Sequence, residues 1–274
     1  QSFFYSGLTS ITIPNSVTDI SLNAFNGTSA MTSCTLPTNP NFNIINLGCF
    51  SSSGLTSINI PDSVTKIGTY AFYNCSALND ITLHKYPGDS TSNTVIDLDG
   101  GPLSNGVYTT NAFNNINNNA IFTIFTNETF TINSTGVTAE TYRYHIIDGT
   151  TSIAADAFKD RTDLLSVDIS NSVTEIGTSA FDGTSNMTSC TLPNNNASFT
   201  TIPNDCFHNS GLTSINIPVS VISIGQNAFR QTLSLTSCTF IGTSTLATIG
   251  QYGFYKSGLL SITIPDSVTS IGQY

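Results

Sequence analysis

The chain of 274 residues has no tryptophan, two methionines and few charges: Lys, Arg, Asp and Glu together make up 9% of it, against roughly a quarter in ordinary soluble domains. Cations are scarcest. Seven Lys and Arg against 17 Asp and Glu leave a formal charge of −10, so there is no basic surface to neutralise phosphates and no nucleic acid is expected as a partner. No apolar run approaches the roughly 18 residues of a membrane-spanning helix, so no membrane span is expected in this segment. Residues 1–5 lack the basic start and apolar centre of a secretory signal, which suits a mature or trimmed product. Also missing are a CxxC spacing, a His-x3-His pair, a phosphate loop, a dinucleotide fingerprint and a Gly-x-Ser-x-Gly turn. The expectation is therefore no enzyme, no catalytic residue, no cofactor and no metal site.

Abundant instead are Ser, Thr and Asn, arranged on a repeat. Phe preceded by a small residue recurs as Ala24-Phe25, Cys49-Phe50, Ala71-Phe72, Ala157-Phe158, Ala180-Phe181, Cys206-Phe207, Ala228-Phe229 and Gly253-Phe254. Five residues before each Phe stands an Ile: Ile20, Ile45, Ile67, Ile153, Ile176, Ile202, Ile224 and Ile249. A second pattern places apolar residues at positions 1, 4 and 6, as in Leu55-Ile58-Ile60, Leu212-Ile215-Ile217 and Leu259-Ile262-Ile264, with Met31-Cys34-Leu36 and Met187-Cys190-Leu192 as variants. A Pro such as Pro14, Pro61 or Pro218 often follows and marks the end of a strand, because it cannot donate to a ladder. The Phe anchors lie in the low to middle twenties apart, too close for repeats built from helix pairs.

The stretch LTSINIPDSVTKIGTYAFYNCSAL, from Leu55 to Leu78, closely resembles the BspA-like, treponemal-type leucine-rich repeat family. The resemblance covers residues 3 to 83 and 146 to 274. It implies a β-rich repeat solenoid, a right-handed leucine-rich-repeat superhelix with one parallel strand per repeat of about 23 residues. Within each strand Ile11 and Ile13 should face inward and Ser10 and Thr12 outward, while Ser-Val-Thr-x-Ile supplies a second short extended segment. Residues 1–83 and 146–274 are expected as leucine-rich repeats, and 84–145 as degenerate repeats with a β-rich insertion, in one continuous solenoid. In that middle segment Ala112-Phe113 keeps an anchor pair, with Tyr108 at the Ile position, and Ala120-Ile121-Phe122-Thr123-Ile124-Phe125 alternates as a strand would.

Read against the repeat, the six cysteines become core residues. Cys34, Cys190 and Cys238 take the strand Ile position, Cys49 and Cys206 the Ala position, and Cys75 the place of Thr28, Thr184 and Thr232, so free buried thiols are expected. His84, His145 and His208 are scattered, and Asp97-Leu98-Asp99-Gly100 reads as a turn tip, since the twelfth position of a calcium loop would fall on Tyr108. Sequons at Asn26, Asn74, Asn127, Asn133, Asn186 and Asn196 are candidate glycosylation sites, several of them expected from composition alone.

The candidate binding surface is the outward strand face: Ser10 and Thr12, Ser33 and Thr35, Ser57 and Asn59, Ser189 and Thr191, Ser214 and Asn216, continued by Asp80 and Thr82, Ser166 and Asp168, Ser237 and Thr239, Ser261 and Thr263. Stacked about 4.8 Å apart, they form two columns of short polar side chains. The inserted segment adds Tyr142, Arg143 and Tyr144, a combination favoured in recognition surfaces. The resemblance implies a surface protein, extracellular or cell-surface, that binds matrix protein, cell-surface glycan or its own kind. A building block of a filament, sheath or coat is the alternative, since neither terminus carries a polar cap and end-to-end self-association would cover both. Ice binding by the Thr-bearing columns is a minor third reading.

Overall fold

The structure, a computed structural model, describes residues 2–84, 97–98, 108–110, 112–113, 116–117, 119–126, 132–134 and 141–273. The chain divides into two compact units, Gln1–Thr141 and Tyr142–Tyr274. Each is a parallel β-solenoid, and no helix occurs among the described residues. Among the described residues, the repeats before Leu259 contribute one longer strand where the apolar pattern 1-4-6 stands and, in most of them, a two-residue strand ending on the regularly spaced Ile.

In the first unit Ser10–Thr12 pairs with Ser33–Thr35, and Ser57–Ile60 pairs in register with Asp80–His84, which pairs with Ile121–Thr126. The alternating run of the middle segment is therefore a solenoid strand, with Ile81 opposite Phe122 and Leu83 opposite Ile124. The second strand column runs Ile44–Ile45, Lys66–Ile67 and Asp97–Leu98. This corrects the expectation for Tyr108: Leu98 takes the Ile position, and Tyr108 pairs with Ile132 in a separate ladder. An insertion between Leu98 and Phe113 breaks the fixed spacing on which the sequence alignment relied.

In the second unit Thr141–Ile146, Leu164–Ile169 and Ser189–Thr191 form one ladder, and Ser214–Ile217 and Ser237–Phe240 another. The short strands Ser152–Ile153 and Glu175–Ile176 pair with each other, as do Thr201–Ile202, Ser223–Ile224, Thr248–Ile249 and Ser270–Ile271 in sequence. The pattern Leu259-Ile262-Ile264 forms no strand.

The Phe anchors do what the repeat requires. Phe3, Phe25, Phe50, Phe72 and Phe113 stack with ring centroids 5.1 to 5.4 Å apart, and Phe158, Phe181, Phe207, Phe229 and Phe254 stack at 5.0 to 5.3 Å. The chain around each ring is an arch, not a strand, yet its backbone is paired. Asn23, Phe25 and Gly27 donate to Leu47, Cys49 and Ser51 of the next repeat, and Asp205, Phe207 and Asn209 donate to Gln226, Ala228 and Arg230. A buried coil must satisfy its amides somewhere, and here a third ladder does so.

The arch bends through left-handed residues two before and two after Phe, as in Asn23 and Gly27, Asp156 and Asp160, and Asn227 and Gln231. Asn, Asp and Gly tolerate that conformation best, and they hold many of these arch positions. Behind the ring, Thr28, Thr184 and Thr232 are buried and their hydroxyls donate to the carbonyls of Phe25, Phe181 and Phe229.

Long and short repeats differ in one loop. Short repeats place Val64, Val173 or Val221 in the core three residues before the Ile, whereas long ones place the larger Phe42, Phe199 or Leu246 there, all buried. Two long loops are clipped by an Asn. Asn39 Nδ2 donates to the carbonyls of Asn15 and Val17, and Asn196 Nδ2 to those of Asn171 and Val173.

Candidate binding surface

Strand alternation turns one side chain in two outward. Ser10, Thr12, Ser33, Thr35, Ser57, Asn59, Ser189, Thr191, Ser214 and Asn216 are all exposed, while Cys34, Ile58, Ile60, Cys190, Ile215 and Ile217 between or beside them are buried. Within each ladder the outward residues are in register: Ser57 lies opposite Asp80, Asn59 opposite Thr82, Ser214 opposite Ser237 and Asn216 opposite Thr239. The columns are not continuous, however. No ladder joins Ser33–Thr35 to Ser57–Ile60, nor Ser189–Thr191 to Ser214–Ile217. Each break follows a strand whose central inward residue is Cys and whose next loop is long.

The first of these discontinuities opens as a crevice, and so does the step after Ser237–Phe240, where the next repeat forms no strand. One, of about 450 Å³, lies in the first unit between Cys34, Thr35, Leu36 and Thr38 on one side and Asn59, Pro61 and Asp62 on the other. Another, of about 490 Å³, lies in the second unit, lined by Ser237, Cys238, Thr239, Ser261 and Thr263 among others. The structure thus brings Thr35 and Asn59 to one crevice and Ser237, Thr239, Ser261 and Thr263 to the other.

Tyr142 and Tyr144 are a correction. Both are fully buried, because they share the inward phase of Ile146 two and four residues on; Tyr142 stands opposite Leu164 and Tyr144 opposite Val167. Arg161 covers them from outside, its guanidinium carbon 5.2 and 5.7 Å from the two ring centroids, while it pairs with Asp163 at 2.6 Å. Burial works to lower the Arg161 pKa, but Asp163 and Tyr144 outweigh it and the net direction is upward. Of the three inserted residues only Arg143 is exposed, in the outward column opposite Ser166.

All six cysteines are free; five are buried and Cys238 is half-buried. Burial pushes the thiols of Cys34 and Cys238 up to about 12. No group of three or more metal-capable side chains occurs among the described residues.

The description of the BspA type leucine rich repeat region, in six copies, matches residues 1–96 and 151–274 of the chain. The chain belongs to this family. No curated protein matches this BspA-type chain. Among solved structures it is similar to a leucine-rich cell surface protein of Faecalibacterium prausnitzii A2-165, at 24% identity over 97% of this chain and 60% of that one, with a TM-score of 0.39. It is also similar to the pneumococcal vaccine antigen PcpA, at 18% identity over 96% of this chain and 74% of that one, TM-score 0.34. A leucine-rich repeat protein of Bacteroides ovatus shares 20% identity over 96% of this chain and 57% of that one, TM-score 0.29. The chain spans about 60% of the length of the Faecalibacterium protein. No helix among the described residues is long and apolar enough to cross a membrane.

The sequons of this BspA-type chain differ in what the fold asks of them. Asn74 and Asn186 are exposed but donate, Asn74 Nδ2 to Ser52 Oγ at 3.3 Å and Asn186 Nδ2 to the Thr162 carbonyl at 2.6 Å, while Asn26 Nδ2 donates to Asn23 Oδ1 at 3.1 Å and Asn196 spends its amide on the loop clip. Asn127 lies outside the described residues, as do the side chains of Asn133 and His84 and most of the turn from Asp97 to Tyr108.

A row that the sequence reading passed over runs along the arch, one residue after each Phe: Lys159, Asp182, His208, Arg230 and Tyr255. Lys159 Nζ is 3.3 Å from Asp182, His208 Nδ1 is 2.8 Å from Asp182, and His208 Nε2 is 3.0 Å from Gln231. The hydrogen bond to Asp182 raises the Lys159 pKa. Counting offsets from each Phe, as was done for the core, would have aligned these charges.

Proposed function

We propose that the chain is a non-enzymatic extracellular or cell-surface recognition and adhesion module that binds matrix protein, cell-surface glycan or its own kind through its solenoid surface. Family membership supports the class. The observation that carries the reading is the strand face itself: short hydroxyl and amide side chains held outward on a rigid stacked core and interrupted by two crevices of about 450 and 490 Å³. Stacked repeats commonly bind through such extended faces. Short side chains lose little rotamer freedom on contact, so their hydrogen bonds carry a small ordering cost.

A glycan array and a panel of matrix proteins, probed with the wild-type chain and with Asn59→Lys and Thr239→Lys, test the proposal. Binding that one or both crevice variants weaken supports it. Silence on both panels, or binding that neither variant changes, overturns the assignment to this face.

A building block of a filament, sheath or coat is the second reading, favoured by three backbone ladders per repeat that run along the stack. Sedimentation velocity over a range of concentrations separates it from a monomeric binder. The breaks in the outward columns speak against an ice-matching lattice.

A further inference from the structure

Four of the seven cations, Lys159, Arg161, Arg230 and Lys256, stand one to three residues after a Phe anchor in the second unit. Lys159 and Arg161 are paired with carboxylates. Arg230 and Lys256 are not: among the described residues neither lies within salt-bridge distance of Asp or Glu. The nearby carboxylates are occupied, Asp182 by Lys159 and His208, and Asp205 by Asn227 Nδ2 at 2.9 Å. Arg230 instead lies over Tyr252 and Tyr255, at 5.5 and 5.8 Å, and its buried Nε has no acceptor. Lys256 Nζ lies 5.4 Å from the Tyr255 centroid.

Large apolar side chains are exposed beside them. Leu233 is 71% exposed where the other repeats have Gly54, Gly211, Ser29 or Ser185, and Leu260 is 98% exposed where others have Thr32, Thr56, Thr213 or Thr236. The residues are contiguous through the backbone: Gln231 N–H donates to Tyr255 at 2.8 Å, Gly258 N–H donates to Thr232 at 3.0 Å, and the Leu233 carbonyl abuts Gly258. The first unit contains an internal control. Tyr70 and Tyr73 pair there at the same offsets from Phe72, with ring centroids 5.3 Å apart, but Ser51, Asn74 and Gly54 stand where Arg230, Lys256 and Leu233 would be.

We propose that this ridge, Arg230 and Lys256 set on Tyr252 and Tyr255 beside Leu233, docks an acidic protein segment that carries apolar side chains next to its carboxylates. Unpaired cations on an otherwise acidic chain select carboxylates by local charge complementarity. Tyr and Arg are the side chains that most often anchor protein interfaces, and rings beneath a cation keep it placed without neutralising it. A hydrophilic acidic glycan would satisfy the cations and leave Leu233 uncovered, so the apolar side chain decides in favour of protein. The inference rests on the reading of the chain as a binding module but uses a different face.

The test is titration of the full chain with a fluorescent synthetic peptide of repeated Gly-Glu-Leu-Glu units, alongside the same peptide with Gln for Glu, the same with Ser for Leu, and an oligogalacturonate. The acidic apolar peptide should bind, more weakly as salt rises, and Arg230→Gln with Lys256→Gln should weaken it about tenfold or more. Leu233→Ser should weaken it severalfold, and Asn59→Lys on the strand face should leave it unchanged. Circular dichroism confirms that the variants remain folded. No binding of the acidic apolar peptide, equal binding of the Gln or Ser peptide, or tighter binding of the oligogalacturonate overturns the proposal. Panel binding that the crevice variants weaken, together with no binding of the acidic apolar peptide, would sink this inference alone and leave the adhesion reading standing.

Discussion

Phe207 is wholly buried and lies between Phe181 and Phe229, each centroid 5.3 Å away, with planes 5° and 13° from parallel. Truncation to Ala forfeits the burial of a large ring, about 1.5–3 kcal/mol, and two ring contacts worth about 0.5–1.5 kcal/mol each. The site cannot collapse to refill the space, because Phe181 N–H is tied to Cys206 O and Phe207 N–H to Ala228 O across the stack. The total, about 2.5–6 kcal/mol, brackets the range of about 3–5 kcal/mol measured for large-to-small changes in cores. Phe254 stacks on one ring, Phe229 at 5.0 Å, and is only half-buried, so Phe254→Ala should cost about 1–2 kcal/mol. Urea titration followed by far-ultraviolet circular dichroism measures both. Hydrogen exchange adds location, since stability in a stack is a sum of neighbour terms: the Phe181 and Phe207 amides should lose protection while those of Phe25 and Phe50 keep it. A cost for Phe207→Ala under about 2 kcal/mol, or equal to that of Phe254→Ala, would show that the ring column is not a main source of stability.

A Cβ on Gly211 would sit 2.1 Å from the Ser185 carbonyl oxygen, so Gly211→Ala should lower the urea midpoint by the equivalent of about 2 kcal/mol or more. Ser179 has φ 57°, and Ser179→Gly should raise the midpoint by roughly 0.5–1 kcal/mol through relief of left-handed strain. The thiol pKa values of Cys34 and Cys238 are raised by burial to about 12 from 9.0, so unfolded thiols ionise first. Stability from these groups is fully present below pH 9.0 and falls as pH rises toward about 12, and a Cys34→Ala and Cys238→Ala double variant should flatten that fall in urea midpoints measured against pH. Removal of the Asn196 clip by Asn196→Ala breaks two donated bonds of 2.8 and 2.9 Å and should cost about 1–3 kcal/mol in thermal or urea unfolding.

The sequence by itself determined the solenoid, the ring column and the free thiols. Each repeat meets only its neighbours, so Phe25, Phe50 and Phe72 occupy one environment repeated along the stack, and one environment selects one kind of side chain. That translation symmetry converts a tertiary contact into a spacing that can be read along the chain, and it carries Cys49 and Cys206 into the core with their neighbours. Period-two alternation likewise placed Ser57 and Asn59 outward, and counted back from Ile146 it would have placed Tyr142 and Tyr144 inward. Where the symmetry lapses, reading along the chain fails. Leu98 pairs with Ile67 although it lies 15 residues before Phe113, because an insertion changes sequence distance without changing place in the stack. The ladder break that opens a crevice between Thr35 and Asn59 depends on how closely two strands approach; the Cys strand and long loop that precede it can be read in the sequence, but the separation itself cannot. Tertiary structure alone also decided which charges meet. Asp182 faces both Lys159 and His208, 23 and 26 residues away along the chain, and the neighbours so engaged leave Arg230 and Lys256 with aromatic rings in place of counter-ions.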